Sequence, residues 1–258
     1  MQKRGKKENL VIVHPFPLNS ILIKDITNCL DDYFDITFID LPGFIRTIKP
    51  LKKIGYKEFG RYLNEKLANI GLCEYILCGI SFGFLVVSQI TPPKECKAIL
   101  AVGPYLGAWS LKVSTKKRWI ARSLINAILF LRLTNLVWTN KLFKTVLLKI
   151  TNYPEQRLSI LLQEVDARTF FITAKIVVTA KPKVKFGNLP YILLLNYDDQ
   201  TIHANHTLNI FKRDAKQLFV IDHKLEHYPK QITKEYFQKR LKPEDIDKAL
   251  DWLIKVSD

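Results

Sequence analysis

The sequence predicts an α/β protein, a mostly parallel sheet of about six strands flanked by helices, with one inserted helical segment. Three observations carry that expectation. Short continuous apolar runs, of the kind buried on both faces of a parallel sheet, alternate with helix-length amphipathic stretches. One such run leads through Gly79-Ile80-Ser81-Phe82-Gly83 directly into a helix-like run. The alternation is broken once, between Val102 and Ile192, by almost ninety residues that read mainly as helix.

Taken in order, the first strand is expected over 10–13, stopped by His14-Pro15, and a helix over 20–30 follows. A strand over 36–39, a helix over 57–70 and a strand over 75–78 come next, then a helix over 84–90 and a strand over 98–102. The insertion reads as helices over 116–133, 140–150 and 155–174, with Pro182 marking the return. Strands over 192–195 and 218–221 enclose a helix over 203–211. Pro243-Glu244-Asp245-Ile246 is a prolyl, acidic start to a closing amphipathic helix through Leu250, Leu253 and Ile254. Strands alternating with helices imply parallel pairing, with functional groups gathered at the strands' C-terminal ends. The expected division is a core from 1–110 and 187–258, with 111–186 forming a helical cap over the strand ends.

Composition bounds the function. The 258 residues are 48% apolar and 25% charged, which is ordinary for a globular protein. The basic start is followed only by a strand-sized apolar run, too short for a signal peptide, and no apolar run is long enough to span a bilayer. The four cysteines, Cys29, Cys73, Cys78 and Cys96, lack C-x-x-C spacing and read as buried thiols of a reducing compartment. His203 and His206 could meet on one helix face, but nothing nearby completes a metal site, so they read as a solvated helix face. A cytoplasmic location follows, peripheral at a membrane if the charge is used there.

That charge is uneven. Of a net +16, residues 97–153 supply +10, with ten lysines and arginines and no acidic residue. Lys116, Lys117, Arg118 and Arg122 accompany Trp119, Ile120, Leu124, Ile128 and Leu131. Lys141, Lys144 and Lys149 accompany Trp138, Leu142, Phe143, Val146 and Leu147. A basic, aromatic surface of this kind can rest on anionic lipid headgroups or steer an acidic carrier protein. The plain alternative is that the apolar stripes pack the cap onto the core and the lysines are solvated. No nucleic-acid reader motif accompanies the charge.

The turn at Ser81 is the chemical focus. Glycine is scarce, 10 in the whole chain, yet two flank this one serine. In a strand–turn–helix context such glycines let the chain fold tightly enough to thrust the serine out beside a helix N-terminus. A serine hydroxyl needs a base to take its proton, and the base needs a carboxylate to hold its tautomer. Asp198 and Asp199 follow one late strand; His223 and His227 follow the last.

These segments, in this order, resemble the α/β-hydrolase family, in its capped serine esterase or lipase-like branch. His14-Pro15-Phe16-Pro17 resembles the family's His-Gly-x-Pro turn, and Asp40-Leu41-Pro42-Gly43-Phe44 its Asp-x-Pro-Gly turn. Residues 79–83 resemble its nucleophile elbow, while Asp199-Gln200-Thr201-Ile202 and His227-Tyr228-Pro229 resemble the segments bearing its acid and histidine. Pro15 and Glu226 stand where glycine is usual, and Ile45 and Thr47 depart from the usual Gly-x-Ser. The sheet would begin at the family's third strand.

The resemblance implies Ser81 as nucleophile, His227 as general base and then acid, and Asp199, rather than Asp198, orienting His227. It implies an oxyanion hole from the backbone N–H groups of Phe16 and Phe82; Phe16 is the donor in its turn because Pro15 and Pro17 have no N–H. The implied substrate is a carboxylic ester or thioester with an apolar acyl group, hydrolysed through an acyl-enzyme without a cofactor. Acyl transfer with the same groups, or a weakly catalytic protein binding acyl lipid or an anionic membrane, are the alternatives. Phe84 is expected in the core. Chain-length preference is expected to depend on how the cap closes over Ser81.

Overall fold

The computed structural model describes residues 7–151, 153–227, 229 and 233–257. Tyr228 and the basic residues 1–6 lie outside the described residues. Six strands form one sheet: β1 (Glu8–Val13), β2 (Phe34–Ile39), β3 (Tyr75–Ile80), β4 (Cys96–Val102), β5 (Tyr191–Leu195) and β6 (Leu218–Asp222). All pairings are parallel, in the order β2-β1-β3-β4-β5-β6. Each expected strand is present, extended by one or two residues at one end. Their continuous apolar character follows from burial on both faces: β3 carries Tyr75, Ile76, Leu77 and Cys78 and β5 is buried throughout.

Helices α1 (Ser20–Ile23), α2 (Asp25–Leu30), α3 (Tyr56–Ala68) and α4 (Phe82–Val87) connect the first strands. The stretch expected as one helix over 20–30 divides after Ile23. Asn19 caps α1, its side chain accepting the N–H of Leu22. Between β5 and β6 lies α10 (Ala204–Asp214), and α11 (Lys234–Arg240) and α12 (Pro243–Ser257) follow β6. Phe84 is buried in the core as expected, its ring 5.3 Å from Phe211 of α10. Phe59 of α3 meets Phe82 of α4 at 6.3 Å. These contacts join α3, α4 and α10 on one face of the sheet, while α1, α2, α11 and α12 cover the other.

Between β4 and β5 come α5 (Thr115–Phe130), α6 (Thr134–Thr139), α7 (Lys141–Thr151), α8 (Glu155–Glu164) and α9 (Ala167–Thr179). The helix expected over 155–174 is two. Val165 ends α8, and Asp166 caps α9 by accepting the N–H and hydroxyl of Thr169, both at 2.7 Å. An aromatic cluster of Trp138, Phe143, Phe170 and Phe171 holds these helices together. They attach at the C-terminal ends of the strands. The N–H of Asp166 donates to the Gly43 carbonyl at 2.9 Å, Phe170 packs 5.1 Å from Phe16, and the Tyr105 hydroxyl donates to the Val177 carbonyl at 2.7 Å.

No disulfide links the four cysteines. Cys29, Cys78 and Cys96 are buried as expected, but Cys73 is exposed because it sits in the loop before β3. His203 and His206 are exposed, and His206 stacks edge-on with Trp109 at 4.8 Å. Among the described residues no helix is long and apolar enough to cross a membrane.

Candidate active site

The turn after β3 brings Ser81 to the C-terminal edge of the sheet in a conformation few side chains adopt, φ 50° and ψ −114°. Backbone bonds hold it there: its N–H donates to the Val102 carbonyl at 2.9 Å, and its carbonyl accepts from Phe84 at 3.0 Å and Tyr105 at 3.1 Å. The flanking glycines are steric necessities. A Cβ on Gly79 would lie 2.5 Å from the Phe84 Cα, and one on Gly83 would lie 2.3 Å from the Val13 carbonyl oxygen. The second contact presses the elbow against the end of β1, which brings Phe82 beside Phe16, ring centroids 6.4 Å apart. Phe82 is the first residue of α4, so its N–H is among the donors a helix leaves unpaired.

Three side chains from three strand ends form a chain of hydrogen bonds. Ser81 Oγ lies 3.0 Å from His227 Nε2, and His227 Nδ1 lies 2.9 Å from Asp199 Oδ2. Asp199 and Ser81 are both 7% exposed. A carboxylate only accepts, so Nδ1 carries the proton and Nε2 is left to accept from the serine hydroxyl. Burial pushes the Asp199 carboxyl up, but hydrogen bonds from His227, Thr201 and Ile202 outweigh it and hold the group below the usual carboxylate range.

The two near-duplicates sit elsewhere. Asp198 points outward and pairs with Lys224 at 2.8 Å. His223 is buried, its Nδ1 accepts the Leu225 N–H at 3.0 Å, and burial pulls its pKa down to about 4. It is therefore a neutral wall residue. Glu226 is exposed beside the histidine, its N–H donating to the Tyr236 hydroxyl at 3.1 Å.

Further side chains support the site; of these His14 belongs to a turn the sequence marked, while Asn196 and Lys112 carried no signal in it. His14 is fully buried, and burial lowers its pKa. Its Nε2 accepts the Leu41 N–H at 3.0 Å, tying the turn after β1 to the turn after β2. Asn196, directly after β5, joins the loops that carry Asp199 and His227, accepting from the Asp198 N–H at 2.9 Å and donating to the Leu225 carbonyl at 2.9 Å. Lys112, just past the end of the core's first part, donates through Nζ to the Asp199 carbonyl at 2.5 Å. Asn196 and Lys112 are single polar side chains without a spacing pattern that would single them out.

Among the described residues no group of histidine, cysteine or acidic side chains could hold a metal ion. An apolar cavity opens beside Ser81, Asp199 and His227 and is closed by residues of the sheet and of α2, α11 and α12. No described residue of 111–186 lines it. This open volume therefore lies under the sheet face, while the cap approaches Ser81 from another side, Phe170 packing on Phe16.

No protein-family model matches the chain. It is similar to the pimeloyl-[acyl-carrier protein] methyl ester esterase of Wigglesworthia glossinidia brevipalpis, 34% identical over 100 residues, which cover 36% of this chain and 35% of that protein. The match thus spans about a third of the curated relative's length. Among solved structures, an esterase from Exiguobacterium antarcticum superposes with a TM-score of 0.63 at 12% identity, covering 98% of this chain and 93% of that one. A thermophilic esterase from Thermogutta terrifontis gives 0.62 at 16% identity, covering 98% and 92%. An N-acyl homoserine lactonase gives 0.65 at 13%, covering 99% and 91%. With its six parallel strands, its elbow after β3 and these superpositions over nearly the full length, the chain has the α/β-hydrolase fold.

Proposed function

We propose that the protein is a serine hydrolase that cleaves a carboxylic ester or thioester bearing an apolar acyl group. The single observation that carries this reading is the Asp199–His227–Ser81 chain, closed at 2.9 and 3.0 Å with its proton direction fixed by the carboxylate. Ser81 Oγ attacks the carbonyl carbon as its proton passes to His227 Nε2, and the imidazolium is stabilised by Asp199. The carbonyl oxygen, now negative, is received by the N–H groups of Phe16 and Phe82; one such donor is worth about 3 kcal/mol to the transition state. His227 then returns the proton to the departing alcohol or thiol, leaving an acyl-Ser81 ester. Water, deprotonated by His227, adds to that ester and releases the acid. The curated relative is an esterase by its own description, which agrees with this chemistry.

The test is turnover of p-nitrophenyl butyrate by the wild type and by Ser81→Ala. The expected result is a loss of roughly 10³-fold or more in kcat with the variant. Equal turnover by both proteins overturns the assignment.

A specific feature favours a second property of the same protein. On the helices taken here as the cap, 111–186, Trp119 is 66% exposed, Phe130 87% and Leu142 77%, joined by exposed Ile120, Leu124, Leu131, Leu136 and Val146. Trp138 and Leu147, by contrast, are buried, so only part of the apolar surface packs the cap. The exposed part lies within the acid-free segment. Solvent-facing apolar groups set among lysines and arginines suit an anionic lipid surface, where the rings enter the headgroup region and the cations meet phosphates. Sedimentation with phosphatidylglycerol vesicles checks this: the wild type pellets, and Trp119→Ser with Leu142→Ser does not. Equal pelleting by both, or retention only by an acidic carrier protein, contradicts it.

A further inference from the structure

The cavity beside Ser81 has a direction, and the strand period defines it. Leu10 and Ile12 of β1, Ile76 and Ile80 of β3, and Leu100 and Val102 of β4 all line it. Ile192 and Leu194 of β5 continue the same wall. Residues two apart share one face of a sheet, so this is a single continuous face running down the strands from their catalytic ends. From Ile80, next to Ser81, to Ile76 is four residues, or ~13 Å along β3. Ile26 and Leu30 of α2, Phe237 of α11, and Ala249 and Leu250 of α12 close the opposite side.

The chemistry of the walls selects the occupant. Along the strands the lining is apolar except for Cys78, whose thiol burial keeps protonated. The groups able to act on a substrate, Ser81, Asp199 and His227, come from the strands' C-terminal ends. The free space is about 160 Å³. An apolar volume of that size accepts a hydrocarbon of about six carbons. Its length allows more, since an extended alkyl chain advances ~1.3 Å per carbon, which puts about ten carbons in the shaft.

We propose that this shaft, under the sheet and not under the cap, seats an unbranched alkyl chain of about six to ten carbons carried by the scissile ester. The proposal rests on the reading of Ser81 as the nucleophile. The chain belongs either to the acyl group or to the alcohol, and two substrate series tell these apart. One is p-nitrophenyl esters with acyl chains from about two to sixteen carbons; the other is acetate esters of alcohols over the same range.

Each methylene that enters an apolar shaft is worth about fourfold in kcat/KM. The expected result is therefore a steep rise to an optimum between about six and ten carbons in one series and a flat response in the other. Ala249→Leu adds three carbons to the wall; it shortens the optimum by about three carbons and cuts kcat/KM for the longest good substrate roughly fiftyfold. Leu250→Ala removes three and lengthens the optimum by as many. A chain-length optimum that moves with neither variant, or no preference in either series, overturns the proposal. A binding measurement separates this from the hydrolase reading. If no ester is cleaved at all, decanoate that raises the melting temperature of the wild type but not of Ala249→Leu still supports the shaft; decanoate that raises neither overturns it.

Discussion

Replacing Asp199 by asparagine should trap the histidine in the wrong tautomer, and the structure says why. Asp199 Oδ1 accepts the backbone N–H of Thr201 at 2.6 Å and of Ile202 at 3.1 Å, while Oδ2 faces His227 Nδ1. An asparagine has one oxygen for these two tasks. Keeping that oxygen on the backbone pair preserves two hydrogen bonds of about 1 kcal/mol each. Turning it around loses both and sets amide hydrogens against backbone hydrogens. The preference is about 2 kcal/mol, roughly thirtyfold. The amide NH₂ then donates to Nδ1, so the imidazole proton moves to Nε2 and points at Ser81 Oγ. A base that already carries its proton cannot accept another. The expected loss is about 10⁴-fold in kcat on a p-nitrophenyl ester, with KM changed little. The exposed Asp198→Asn serves as companion and should stay within twofold. Turnover by Asp199→Asn within tenfold of wild type refutes the argument, as does a large loss from Asp198→Asn instead.

Three further outcomes are expected. Gly83→Ala puts a methyl group 2.3 Å from the Val13 carbonyl oxygen and 2.8 Å from that of His14, so urea unfolding should show a loss of about 3 kcal/mol, while Gly187→Ala, with nothing within 4 Å, should cost nothing. Equal effects would show that the elbow is not pressed against β1. Stability should fall as pH drops from about 6.5 to 4, because the unfolded chain protonates a histidine that His223, at about 4, refuses when folded; that one group contributes about 3 kcal/mol, and His14 acts in the same direction. A melting temperature constant across that range contradicts it. Asn196→Ala, which unties the acid loop from the histidine loop, should lower kcat by about 10²-fold while leaving the protein folded by circular dichroism; unchanged kcat would show that those loops position themselves.

The strands and the elbow were legible because their signals are local. A run such as Tyr191-Ile192-Leu193-Leu194-Leu195 can only be satisfied between two helical layers, and Gly79 and Gly83 mark backbone approaches no side chain tolerates. Other features depend on partners distant in sequence. The helices at 134–139 and 234–240 are too short for a periodic pattern to show. The break at Asp166 is made by a cap inside a stretch whose apolar spacing is uninterrupted, and the one at Lys24, which keeps helical angles and makes no capping bond, leaves no mark in the sequence at all. The site's placement followed from strand order, since Ser81, Asp199 and His227 each come after a strand whose C-terminal end faces the same edge. The cavity was illegible for a plain reason. Where a gap opens between sheet and helices depends on how closely Ala249 and Leu250 of α12 approach the sheet, and no residue spacing encodes that distance.

The most direct test of a working nucleophile needs no knowledge of the substrate. The protein is incubated with a fluorophosphonate probe, digested, and the adduct located by mass spectrometry. A single adduct on Ser81, absent in Ser81→Ala and slow to form in Asp199→Asn, is the predicted result. An unlabelled protein beside a serine hydrolase labelled under the same conditions, or an adduct on any other residue, contradicts the account.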